Sequence, residues 1–163
     1  MILVCNTGPL IALAKIDRLS LLQNLGLERL LIPPMVQREL WGKIGPESAA
    51  IEAALNNFMQ VVKLQNIDQR IENAVVDLDH GEKEAVILAA SLQEETVLLI
   101  DDKAGRKVAR HLELSVLGTA GLLLLAKRQG FVENVSALVV EMRRQGYWLS
   151  DALVAQVRRL AGE

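Results

Sequence analysis

At 163 residues and 51% hydrophobic content, the chain is long enough for one well-buried domain and short of two. Its 18 basic and 20 acidic residues leave a net charge of -2, which excludes a disordered polyelectrolyte and a wholly basic nucleic-acid coat. The one cysteine, Cys5, excludes an intrachain disulfide and with it a stapled secreted module, so a reducing, cytoplasmic setting is expected.

Met1 to Cys5 is a continuous apolar run that meets Asn6-Thr7-Gly8-Pro9 and then a helix-like stretch, Leu10 to Ile16. It reads as a buried strand turning into a helix, with Pro9 suited to the first turn. Arg29 to Ile32 repeats the pattern, followed by Pro33-Pro34 and a helix over Met35 to Trp41. Gly42 to Pro46 reads as a loop, Glu47 to Phe58 as a helix and Met59 to Leu64 as a third strand. Asp79-His80-Gly81-Glu82 offers a capping box for a helix through Leu92, with Asp79 as cap and Glu82 reaching back. A fourth strand, Val97 to Ile100, runs into Asp101-Asp102 and the helix Lys103 to His111. A fifth, Leu114 to Leu117, precedes the helix Ala120 to Arg128. Beyond Gly130 only helices remain, Val135 to Arg144 and Asp151 to Leu160, the second capped by Ser150. The expected organisation is one domain, an α/β core over 1–130 with a helical extension over 131–163. No apolar stretch is long enough to cross a bilayer, and the start lacks the basic region of a signal peptide.

Short strands without in-out alternation are covered on both faces, and connecting helices of this length join parallel neighbours. The fold class is therefore α/β, with a doubly wound, mostly parallel sheet of about five strands. In such a sheet the crevice lies at the carboxyl ends of the strands, where the winding reverses. That rule brings Asn6, Thr7, Asp101 and Asp102 to one rim, with Glu39 on the helix after the second strand and Glu82 and Glu84 opening the helix before the fourth. Clustered carboxylates repel one another unless a cation neutralises them, and hard oxygen ligands favour Mg²⁺ or Mn²⁺. Phosphodiester hydrolysis suits that chemistry. A nucleotide-binding alternative lacks a Gly-rich phosphate loop of either usual kind.

The segments Asn6-Thr7-Gly8-Pro9-Leu10-Ile11-Ala12-Leu13-Ala14-Lys15, Ile32-Pro33 with Glu39-Leu40, Gly81-Glu82-Lys83-Glu84-Ala85 and Leu99-Ile100-Asp101-Asp102 resemble the PIN-domain superfamily, in particular its VapC-like prokaryotic branch. Gly146 to Leu153 is similar as well, so the likeness covers nearly the whole chain. It implies a three-layer α/β/α sandwich, Mg²⁺- or Mn²⁺-dependent ribonuclease activity, a homodimer, and service as the toxin beside a cognate antitoxin protein. Position by position it assigns catalytic and metal roles to Glu39, to Glu84 with Glu82 nearby, and to Asp101 or Asp102. The family's first acidic position falls on Asn6, whose amide oxygen can ligate but brings no charge. This motivates an alternative reading as a catalytically weak RNA- or protein-binding module.

Glu82 and Glu84 project about 200° apart on a helix; with Glu82 engaged in capping, Glu84 is the expected metal-side residue. Lys103, Arg106, Lys107 and Arg110 recur along one helix face beside the aspartates, an expected phosphate-steering strip to which Thr7 is joined as an RNA contact. The histidines, His80 and His111, lack metal-ligand spacing, and Cys5 reads as packing. Trp41, Tyr147 and Trp148 read as anchors of the tail or of an interface, and Leu122 to Leu125 as core plus a subunit or antitoxin contact.

Overall fold

In the computed structural model, which describes residues 1–163, the apolar runs form one five-stranded sheet: β1 (Ile2–Cys5), β2 (Arg29–Ile32), β3 (Met59–Val61), β4 (Thr96–Leu99) and β5 (Ser115–Leu117). Every pairing is parallel and the order is β3-β2-β1-β4-β5. The sheet is thus wholly rather than mostly parallel. The winding runs outward from β1 through β2 to β3, then resumes on the other side of β1 with β4 and β5. The switch point accordingly lies at the carboxyl ends of β1 and β4, where Cys5 pairs with Leu99.

The helices are α1 (Thr7–Lys15), α2 (Leu21–Asn24), α3 (Pro34–Trp41), α4 (Ser48–Asn57), α5 (Gln69–Ala74), α6 (His80–Ser91), α7 (Lys103–His111), α8 (Thr119–Arg128), α9 (Val135–Arg144) and α10 (Asp151–Ala161). Strand side chains alternate between two layers. Leu3, Cys5, Leu30, Ile32 and Leu99 meet α1, α4, α8 and α9, whereas Ile2, Val4, Leu31, Leu98 and Ile100 meet α6 and α7. Burial on both faces explains why these strands read as unbroken apolar runs.

The C-terminal helices join the first layer: Val135, Val139 and Met142 of α9 and Val157 of α10 are buried with Leu122, Leu123 and Ala126 of α8. Leu124 and Leu125 are half-buried against the same cluster, so α9 and α10 take up much of the apolar surface of α8. β3 stops three residues earlier than expected, because its partner β2 ends at Ile32 and the next residue in line to donate to β3, Pro34, has no N–H and opens α3. No helix is long and apolar enough to cross a membrane.

Candidate active site

A cleft of about 260 Å³ opens at the switch point, lined by Asn6, Thr7, Gly8, Pro9, Glu39, Asp79, Glu82, Asp101, Asp102 and Tyr147. Each wall follows from local sequence. Asn6 occupies the N-cap of α1 in an extended conformation but makes no capping bond, leaving its side chain to the cleft. Asp79 caps α6, accepting from the Glu82 amide at 3.0 Å, which places Glu82 in the first turn. Asp102 caps α7 by accepting from the Gly105 amide at 2.8 Å. Capping thus fixes two helix ends, those of α6 and α7, around one hollow, with the uncapped start of α1 as its third side.

The carboxylates are held individually. Thr7 Oγ1 donates to Glu39 Oε2, and the backbone of Gly81 lies so close that a methyl group there would sit 2.5 Å from the same oxygen. Asp101 accepts from the Thr119 amide at 2.7 Å, from the Thr119 hydroxyl, and from Tyr147 Oη at 2.5 Å. Burial first, then the Asp101 charge and its hydrogen bond, keep the Tyr147 hydroxyl protonated well above the ordinary range. Glu82 is pushed up to about 7, first by burial and then by the like charges of Asp79, Asp102 and Glu39. The Asp79 backbone amide opposes this shift without reversing it.

The donor set fits a hard divalent cation. It consists of oxygen alone, carries excess negative charge, and includes Asn6 Oδ1, which is sealed from solvent without a hydrogen-bond partner. The side chains ring the cleft without meeting at a point: no three acidic, histidine or cysteine groups stand close enough to hold an ion as placed.

Among the residues expected at the rim, Asn6, Thr7, Glu39, Glu82, Asp101 and Asp102 line the cleft and Glu84 does not. Glu84 Oε2 accepts from the Met35 amide at 2.8 Å, at the start of α3 where Pro34 has no N–H to offer. Glu84 therefore serves a helix end, the start of α3, while Glu82 faces the cleft and still meets the Asp79 amide of the expected capping box. Thr7 is likewise committed to Glu39 rather than presented to a ligand.

The basic residues of α7 diverge. Arg106 turns toward β5 and α8, Lys107 lines a hollow facing α5, and neither Lys103 nor Arg110 lines the cleft. Asp79 and Tyr147 are cleft residues that sequence reasoning missed in that role, and it also missed the buried Thr119, which holds Asp101 from behind the cleft. The clue for Tyr147 was Gly146, whose φ of 84° ends α9 and turns the chain back toward the sheet. Cys5 is fully buried, and burial holds its thiol far above the usual range, as a packing residue requires.

A protein-family model described as a PIN domain matches residues 2–163. No curated protein matches the chain.

Proposed function

The chain belongs to the PIN-domain family, and from that premise we propose that it is a Mg²⁺- or Mn²⁺-dependent ribonuclease that hydrolyses RNA phosphodiesters. PIN domains are typically nucleases and generally use divalent metals. The observation that carries the reading is the convergence of Asn6, Glu39, Glu82, Asp101 and Asp102, from four separate elements, on one acidic cleft at the switch point.

Asn6, Glu39, Glu82, Asp101 and Asp102 would hold the ion. When bound, it neutralises the cleft, activates water and stabilises charge developing at phosphorus. The remaining groups position these ligands. Thr7 and the Gly81 backbone fix Glu39; Thr119 and Tyr147 fix Asp101; the first turn of α7 fixes Asp102. Arg106 makes no ion pair within the chain and has only a long hydrogen bond, 3.5 Å, to the Ile100 carbonyl. Its guanidinium is free to accept a substrate phosphate beside Asp101. The resemblance to the VapC-like branch extends the proposal to a homodimeric, cytoplasmic toxin held in check by an antitoxin protein.

The test is cleavage of end-labelled RNA by the purified chain with Mg²⁺ or Mn²⁺, expected to vanish in EDTA and in Asp101→Asn. Cleavage that persists under both conditions overturns the proposal. The neutral Asn6 favours a second reading, a binding module with feeble turnover. It is distinguished by Asn6→Asp, which on that reading raises both cation affinity and turnover, whereas little change shows that the amide suffices.

A further inference from the structure

A second hollow, about 380 Å³, shares the Asp101–Tyr147 pair with the acidic cleft and lies on its other side. Its floor is apolar, formed by Leu117 of β5, Leu124 of α8 and Leu153 and Val157 of α10. Its rim carries Arg106 and Trp148. Trp148 is 83% exposed, an unusual position for so large an apolar ring. Its place is nonetheless fixed, because only a short segment separates Gly146, the stop of α9, from Ser150, the cap of α10, and the buried Leu149 anchors that segment between them.

We propose that this groove receives the base of a nucleotide adjoining the scissile phosphate in single-stranded RNA, with the base stacked on Trp148. The inference rests on the ribonuclease reading and adds to it a base subsite outside the acidic cleft. Four features favour a nucleobase. The volume lies within the usual range of small-molecule pockets, about 300–1,000 Å³. The groove is continuous with the cleft through Asp101 and Tyr147, so a strand with its phosphate in one has a neighbouring base at the other. The uncommitted Arg106 lines the groove next to Asp101, the two meeting beside Gly118, where it can donate to a backbone phosphate. Gln156, exposed on α10, brings an amide to the lining for a base edge. A second copy of the chain or an apolar helix would also cover Trp148, but an apolar surface would leave Arg106 without a partner of matching charge.

The experiment uses the full chain carrying Trp41→Phe, so that Trp148 is its only tryptophan. Short single-stranded RNA oligonucleotides are titrated in EDTA, which prevents cleavage, while emission is followed. The expected result is saturable quenching by single-stranded but not duplex RNA. Trp148→Ala, which leaves no tryptophan and is therefore read from the anisotropy of an end-labelled oligonucleotide, weakens binding about tenfold, the worth of one stacked base. An abasic nucleotide at one position of the oligonucleotide produces the same loss and adds nothing to that of the variant. RNA binding that is indifferent to Trp148→Ala overturns this inference alone. So does Trp148 emission that shifts with protein concentration in the absence of RNA, which assigns the groove to a second copy. Absence of both RNA binding and metal-dependent cleavage overturns the ribonuclease reading together with it.

Discussion

Tyr147 Oη donates a 2.5 Å hydrogen bond to Oδ2 of Asp101, joining the segment between the last two helices to the carboxyl end of β4 across 46 residues of sequence. The bond makes the segment between the C-terminal helices part of the cleft, in addition to their covering the core. Tyr147→Phe leaves each Asp101 oxygen with one Thr119 donor but removes the second donor to Oδ2. Stability is expected to fall by about 1–2 kcal/mol, and cleavage by about tenfold or more as Asp101 loses its fixed position. Thermal melts and single-turnover cleavage separate the two effects; an unchanged rate would show that Thr119 alone positions the carboxylate.

The two glutamates of α6 are predicted to respond in opposite ways. Glu84→Gln weakens the bond to Met35 and costs about 1 kcal/mol of stability, with Mn²⁺ binding by calorimetry unaffected. Glu82→Gln abolishes or greatly weakens Mn²⁺ binding, yet stabilises the metal-free protein. The sign follows from the raised folded pKa, about 7 against an ordinary 4.5: the ionised carboxylate is disfavoured by folding. The gain is therefore absent below pH 4.5, grows between 4.5 and 7, and is full above 7. After discounting for the solvent that still reaches Glu82, it amounts to about 1 kcal/mol. Melts in EDTA across that range test it; a destabilised variant at pH 8 contradicts it.

At Gly81 a methyl group would lie 2.5 and 2.6 Å from the Glu39 carboxylate oxygens. Gly81→Ala gains helix propensity worth about 0.5–1 kcal/mol but must push Glu39 away from Thr7. The expected result is a protein of near-normal melting temperature whose cleavage falls about a hundredfold. Normal activity in this variant would mean that the position of Glu39 is immaterial.

Glu163 accepts hydrogen bonds from Lys127 Nζ at 2.5 Å, Ser136 N at 2.7 Å and Val135 N at 2.8 Å, tying the chain end to the start of α9. The Lys127 bond, followed by that of Ser136, lowers its pKa to about 2 from an ordinary 4.5. A depressed carboxylate pKa stabilises the fold above 4.5, and that stabilisation drains away as pH falls toward 2. The melting-temperature gap between the wild type and Glu163→Gln should accordingly be widest near neutrality and close on acidification. A gap independent of pH would show that the charge contributes nothing.

The sheet was legible because strands buried on both faces write themselves as unbroken apolar runs, each ended by a turn or capping residue such as Asn6, Pro33 or Asp101. α2 and α5 were not, since one or two turns establish no apolar period. Helical geometry correctly separated Glu82 from Glu84 around α6, but could not tell which flank faced the cleft. That depends on α3 packing beside α6 and offering the Met35 amide to Glu84. The even spacing of Lys103, Arg106, Lys107 and Arg110 predicted one face, whereas neighbours on either side of α7 draw Arg106 and Lys107 toward different hollows. Gly146 marks the end of α9 in the sequence, but nothing local to Tyr147 records that the extension folds back onto the cleft.

The wall formed by Asp101 and Tyr147 has two sides, so an occupant of one hollow that moves either residue also moves the wall of the other. Were both hollows to bind in this way, thermodynamic reciprocity would require each occupant to change the other's dissociation constant by the same factor.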